Sequence, residues 1–180
     1  PSRARRQPAA CEASDEVVNG IFVYSNDGES DTNGNGLIDN NEIDIEILCG
    51  EPNAIYLTTW TDYVDDDHFF KVTRKVDMET GEYRQTVAGQ EGEYGLSAPI
   101  GTLEDVAFSG FSFTADFYEM GFEWHAQELR FFIVVGDQEI TLWDFTDAAF
   151  IPQNAASFML NIWYPGEHWY GGDASFPDAD

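Results

Sequence analysis

The chain has 180 residues, enough for one domain with a real core, and 15% of them are aromatic, a share that favours strands over helices. It sets 34 acidic residues against 8 basic ones, a net charge of −26, and such a surface repels phosphate backbones and anionic lipid. Nucleic-acid and membrane-surface roles are thereby disfavoured, no window approaches the ~18 consecutive apolar residues of a membrane span, and a neutral polymer suits this surface better than a sulfated or uronic one.

Taken in chain order, residues 1–16 read as an irregular N-terminal segment. Its first ten residues include Arg3, Arg5 and Arg6 but no apolar stretch, so they are not a signal peptide. Strand-like runs follow at Val18–Tyr24, Glu42–Leu48, Ala54–Thr61, Phe69–Lys75, Tyr83–Val87, Phe117–Trp124, Leu129–Val135, Glu139–Phe145 and Ser157–Tyr164. Clusters of Gly, Asn, Asp and Pro punctuate them, which predicts an all-β sandwich or barrel in a single domain over residues 17–180. Asp77-Met-Glu-Thr-Gly81 and Gly136-Asp137 predict hairpin turns. Residues 88–116, dotted with Gly and Ser, read as a long surface loop within a loop-rich insertion of about 64–116. Cys11 and Cys49 are the two cysteines; one bridge or two free thiols both fit.

The most informative stretch is Asn41-Glu-Ile-Asp-Ile-Glu-Ile-Leu-Cys49. Isoleucine alternates with acid, a period-two strand pattern that turns the Ile side to the core and lines Glu42, Asp44 and Glu46 along the other face. Three carboxylates on one face, with no Lys or Arg among them on the strand, raise one another's proton affinity. Such a row suits chemistry in which one acid holds a proton while another is ionised, as in retaining glycosidases. On a flat strand the outer pair stand ~13 Å apart at Cα, whereas retaining chemistry wants carboxyl groups ~5–5.5 Å apart. The strand must therefore be concave, with both Glu side chains leaning inward over Asp44.

Glu42-Ile-Asp-Ile-Glu46 resembles the catalytic signature of glycoside hydrolase family sixteen, the concanavalin A-like jelly-roll glucanases, in the spacing of the lichenase-like branch. Val17-Val-Asn-Gly-Ile-Phe-Val-Tyr24 resembles the strand before the catalytic one. Tyr118-Glu-Met-Gly-Phe-Glu-Trp-His125 with Leu129-Arg-Phe-Phe-Ile-Val134 resembles a later core hairpin. Phe158-Met-Leu-Asn-Ile-Trp163 with His168-Trp-Tyr-Gly-Gly172 resembles the C-terminal cleft segment. The likeness covers roughly residues 15–173 and implies a β-sandwich jelly roll, incomplete at both ends. It implies Glu42 as nucleophile, Glu46 as general acid/base and Asp44 as the residue between them that tunes their proton affinities. No cofactor is required for that chemistry. The expected partner is a neutral β-glucan, and the expected state is a secreted monomer.

Sugar rings present flat apolar faces that aromatic side chains floor well. Phe22 and Tyr24 share one face of the strand before the catalytic one. The resemblance adds Trp60, Trp163 and Trp169 as cleft aromatics, and Thr58 where lichenases place Asn. Asp31-Thr-Asn-Gly-Asn-Gly-Leu-Ile-Asp-Asn-Asn-Glu42 follows the twelve-residue calcium-loop pattern. That pattern makes Asp31, Asn33, Asn35 and Asp39 candidate ligands for a structural Ca²⁺. Its twelfth position is Glu42, and a carboxylate clamped on Ca²⁺ is a poor nucleophile, so Glu42 cannot fill both roles. Two alternatives stand beside an endo-acting β-glucanase: a transglycosylase on the same scaffold, and a non-catalytic carbohydrate-binding jelly roll.

Overall fold

The structure, a computed structural model, describes residues 2–6, 11, 17–32, 34, 36–65, 68–86 and 99–163, with backbone alone for 2–6, 63–65, 68 and 69. Eleven strands run through them: β1 (Ser2–Arg6), β2 (Val18–Asn26), β3 (Asn40–Leu48), β4 (Ala54–Asp65), β5 (His68–Asp77), β6 (Glu82–Gln85), β7 (Gly101–Thr102), β8 (Tyr118–His125), β9 (Glu128–Val135), β10 (Gln138–Phe145) and β11 (Ser157–Trp163). They form two antiparallel sheets, of order β1-β8-β9-β10 and β11-β2-β3-β4-β5-β6-β7. The fold is an all-β sandwich of the jelly-roll kind; the punctuation of the sequence predicts a sandwich or barrel, and the resemblance implies the jelly roll. Among the described residues one short 3₁₀ turn, Ala148–Phe150, interrupts the strands.

Period-two alternation builds the core. Ile43, Ile45 and Ile47 of β3 are buried against Ile21 and Val23 of β2, Ile55 and Leu57 of β4, and Val72 and Val76 of β5. The opposing layer supplies Met120, Phe122, Leu129, Phe131 and Ile133. On β10 a bulge between Thr141 and Trp143 turns two consecutive side chains, Leu142 and Trp143, into the core, as a bulge allows. Trp143 stacks on Phe131 with ring centroids 5.8 Å apart. The edge strand β11 leaves Phe158, Leu160 and Ile162 exposed.

Two expectations need correction. Residues 1–16 are not wholly irregular, since Ser2–Arg6 pairs with β8 along its whole length. Alternating Arg and Ala gives no apolar periodicity to announce a strand, and the pairing comes from the free edge of β8. The segment 99–116 is also more than a surface loop. Val106, Phe111 and Phe113 are buried, Phe111 meets Phe113 edge-on at 4.8 Å, and the Phe113 amide donates to the Pro52 carbonyl at 2.7 Å. This stretch plugs one end of the sandwich.

Cys11 and Cys49 form a disulfide with Cα atoms 5.1 Å apart. It ties the chain following β1, in one sheet, to the end of β3 in the other. The hairpin turns fall where expected: Gly81 and Gly136 take φ of 75° and 63°, a region that glycine enters without the steric cost of a Cβ.

Candidate active site

β3 is an interior strand of the seven-stranded sheet, flanked by β2 and β4. Register places Tyr24, Phe22 and Gly20 of β2 opposite Glu42, Asp44 and Glu46. On the other side stand Trp60, Thr58 and Tyr56 of β4. Because cross-strand partners share a face, the expected aromatics Phe22, Tyr24 and Trp60, together with Thr58, surround the carboxylate row. Trp163 joins from β11: its indole N–H donates a hydrogen bond to Glu46. Trp169 lies outside the described residues, as do Asn33 and Asn35.

The row is not a solvated edge. Asp44 is 7% exposed, and Glu42 and Glu46 are half-buried. Burial pushes Glu42 above the usual carboxylate range, while a hydrogen bond from Asp44 and the Lys71 ammonium pull it back. Asp44 is held well above that range by burial, then by the charges of Glu42 and Glu46 and by the hydrogen bond it gives Glu42. Glu46 is pushed up to about 7, chiefly by burial and further by Glu42, against the lowering effect of Lys71 and the Trp163 indole. The outer two carboxyls thus sense one another, and the three acids divide into different proton affinities. Between Glu42 and Asp44, the hydrogen bond favours the charge on Glu42 and the proton on Asp44. A set of this kind can hold a nucleophilic carboxylate beside a proton donor.

Three residues of this site escaped the sequence reading. Lys71 of β5 is the register partner of Trp60, and its Nζ lies 4.3 Å from the Trp60 ring centroid. One face of that ring therefore carries an ammonium and is not open to a sugar. Thr73 of β5 accompanies it, its hydroxyl 3.0 Å from that of Thr58. Asn161 of β11 is opposite Gly20, itself opposite Glu46. A Cβ on Gly20 would come within 2.2 Å of Asn161 Oδ1, so only glycine lets Asn161 lean across β2 towards the row. The interior glycine of β2 was the one available signal, since glycine within a strand marks a close approach.

Beyond Tyr24 the site opens into a hollow of about 550 Å³ lined by Tyr24, Asn26, Asp27, Asn154 and Ser157. The loop entering β3 borders it. There the buried Asp39 accepts the Thr32 amide at 3.0 Å and the Asn154 side-chain amide at 2.9 Å. Asp31 accepts the Gly36 amide at 3.0 Å. These two carboxylates brace the loop itself, and a Ca²⁺ ion would have to compete with those hydrogen bonds. Among the described residues no three His, Cys, Asp or Glu side chains gather as a metal-ligand group, and Glu42 belongs to the carboxylate row.

No protein-family model and no curated protein matches the sequence. Solved structures do. A native glycosidic hydrolase is 22% identical over 87% of this chain and 50% of its own, with a TM-score of 0.46. The Bacillus licheniformis beta-glucanase is 18% identical over 87% of this chain and 51% of its own, with a TM-score of 0.47. A prokaryotic beta-1,3-1,4-glucanase (lichenase) derived from a mouse hindgut metagenome is 17% identical over 88% of this chain and 52% of its own, with a TM-score of 0.47. The chain spans about half the length of these three proteins.

Proposed function

We propose that the protein is a retaining, endo-acting glycoside hydrolase that cleaves a neutral β-glucan, 1,3-1,4- or 1,3-linked, by double displacement. One observation supports this above all: a buried carboxyl between two half-buried ones on one strand face, with Asp44 donating to Glu42 and Glu46 raised to about 7. In the first step Glu42 attacks the anomeric carbon, the glycosidic C–O bond breaks, and Glu46 gives its proton to the departing oxygen. In the second, Glu46 takes a proton from water, which displaces Glu42 and releases the sugar. Phe22, Tyr24 and Trp163 line the floor for sugar rings, and Thr58 adds a hydroxyl. The disulfide between Cys11 and Cys49 fits an oxidising, extracellular setting. An acidic monomer that repels its own copies suits a neutral substrate.

The test is reducing-sugar release from barley β-glucan, lichenan, laminarin and xyloglucan across pH, by the wild type and by Glu42→Gln. Cleavage of a mixed-linkage or 1,3-glucan is expected. Activity should fall as pH rises through about 7, where Glu46 loses its proton. The Gln variant should lose about a thousandfold or more in turnover while still binding glucan. Full activity in that variant would remove Glu42 from the mechanism. Products longer than the substrate would instead identify a sugar, rather than water, as the acceptor.

A further inference from the structure

From residue 7 onward the chain has only five basic residues, Lys71, Arg74, Lys75, Arg84 and Arg130, and three of them are on β5. Two of these three have duties elsewhere. The Arg74 guanidinium lies over the Tyr83 and Trp143 rings, at 4.3 and 4.8 Å, and donates to Gln85 and to the Leu142 carbonyl. Lys75 pairs with Glu51 at 2.6 Å and lies over Tyr56 at 5.2 Å. Lys71 alone is turned to the carboxylate row, where its Nζ sits over the ring of the residue opposite Glu42.

We propose that Lys71 is a positioning residue of this site, the counter-charge that decides which of the three carboxyls is ionised. The inference rests on the glycosidase reading of Glu42 and Glu46, and Lys71 acts through them without touching the bond that breaks. A half-buried group of charges is least costly when its sum is zero, because each uncompensated charge loses hydration. With Glu42 ionised, Asp44 and Glu46 protonated and Lys71 cationic, the sum is zero. During the first displacement a bond forms between a Glu42 oxygen and the anomeric carbon. The bond to the leaving oxygen breaks, and the Glu46 proton moves to that oxygen. Glu42 is then an uncharged ester and Glu46 an anion, and with Lys71 the sum is zero again. The negative charge travels from one end of the row to the other, and the ammonium balances both states. Burial lowers the proton affinity of Lys71, and the charges of Glu46, Asp44 and Glu42, in that order, raise it back and favour the ammonium.

Among the described residues the other side chains set about the row, Phe22 and Tyr24 from β2, Tyr56 and Thr58 from β4 and Asn161 and Trp163 from β11, carry no positive charge. The only further ammonium on this face of β5, that of Lys75, is already paired with Glu51. None of them supplies a mobile positive charge in place of Lys71.

Two readouts on Lys71→Met, Lys71→Gln and Lys71→Arg test the proposal. The first is carboxyl ¹³C titration of Glu- and Asp-labelled protein, which needs no activity. In the wild type a carboxyl should titrate near pH 7. In the Met and Gln variants the midpoints of the site carboxyls should rise by about one pH unit or more, and Arg should restore them. The second is kcat/KM against pH on barley β-glucan. The acid limb should move up with Met or Gln, with about a tenfold or greater loss at pH 6 carried by kcat, and return with Arg. Unmoved midpoints in whichever neutral variant folds would overturn the role of Lys71. Shifted midpoints in a protein that cleaves none of the glucans would uphold Lys71 as the counter-charge and defeat the glycosidase reading instead.

Discussion

The outer faces of the two sheets treat charge in opposite ways. On the four-stranded sheet, Arg130 of β9 lies between Glu123 of β8 and Glu139 of β10, at 2.9 Å from each. Opposite charges there meet pairwise at the surface. On the seven-stranded sheet, Glu42, Asp44 and Glu46 are crowded on one strand, partly or wholly out of water, with a single ammonium among them. Folding would be better served by neutral residues at those positions. A sheet face that works against stability in this way, in the same molecule as one that does not, is where chemistry is to be sought.

The contrast can be broken by substitution. Its largest expected effect lies in the four-stranded sheet, where fully buried Phe131 contacts Phe122 and Trp143. Phe131→Ala should cost about 3–5 kcal/mol in denaturant unfolding, at any pH. Next comes Glu46→Gln, with the opposite sign. Glu46 is raised from 4.5 to about 7 in the folded chain, so between those values the folded state holds a proton that the unfolded state has released. Stability therefore declines as pH climbs from about 4.5 to about 7. The Gln variant escapes that decline and should be more stable by about 2–3 kcal/mol at pH 7.5, with the gain gone at pH 4. An equal effect at both pH values would mean that Glu46 is not raised. The smallest effect belongs to Arg130→Ala, which should cost no more than about 1 kcal/mol because exposed ion pairs contribute little. A loss there as large as that of Phe131→Ala would erase the distinction between the two faces.

Much of the site was legible along a single strand. The Ile-acid alternation of Glu42–Leu48 settles which side chains share a face, because the strand period is two whatever the neighbours are. Phe22 and Tyr24 were legible in the same way. Lys71 was not. It sits 25 or more residues away from the acids in a run, Phe69-Phe-Lys-Val-Thr-Arg-Lys75, whose basic residues look like a solvated strand face. It meets the row only because β4 lies between β3 and β5 in a particular register. Phe111 and Phe113 were missed for a related reason: an irregular segment has no periodicity to mark its inward side chains, although three Phe within six residues at 108–113 was a usable hint.

What the sequence determined by itself is therefore local: the all-β character, the position of most strands, the row of three acids and the excess negative charge. The pairing of Cys11 with Cys49, the strand made by Ser2–Arg6, the reach of Trp163 to Glu46 and the arrival of Lys71 were decided by tertiary structure. Each depends on which strands become neighbours and in what register. That choice is made by the whole core packing at once, since a one-residue slip would send every side chain of a strand to the wrong face.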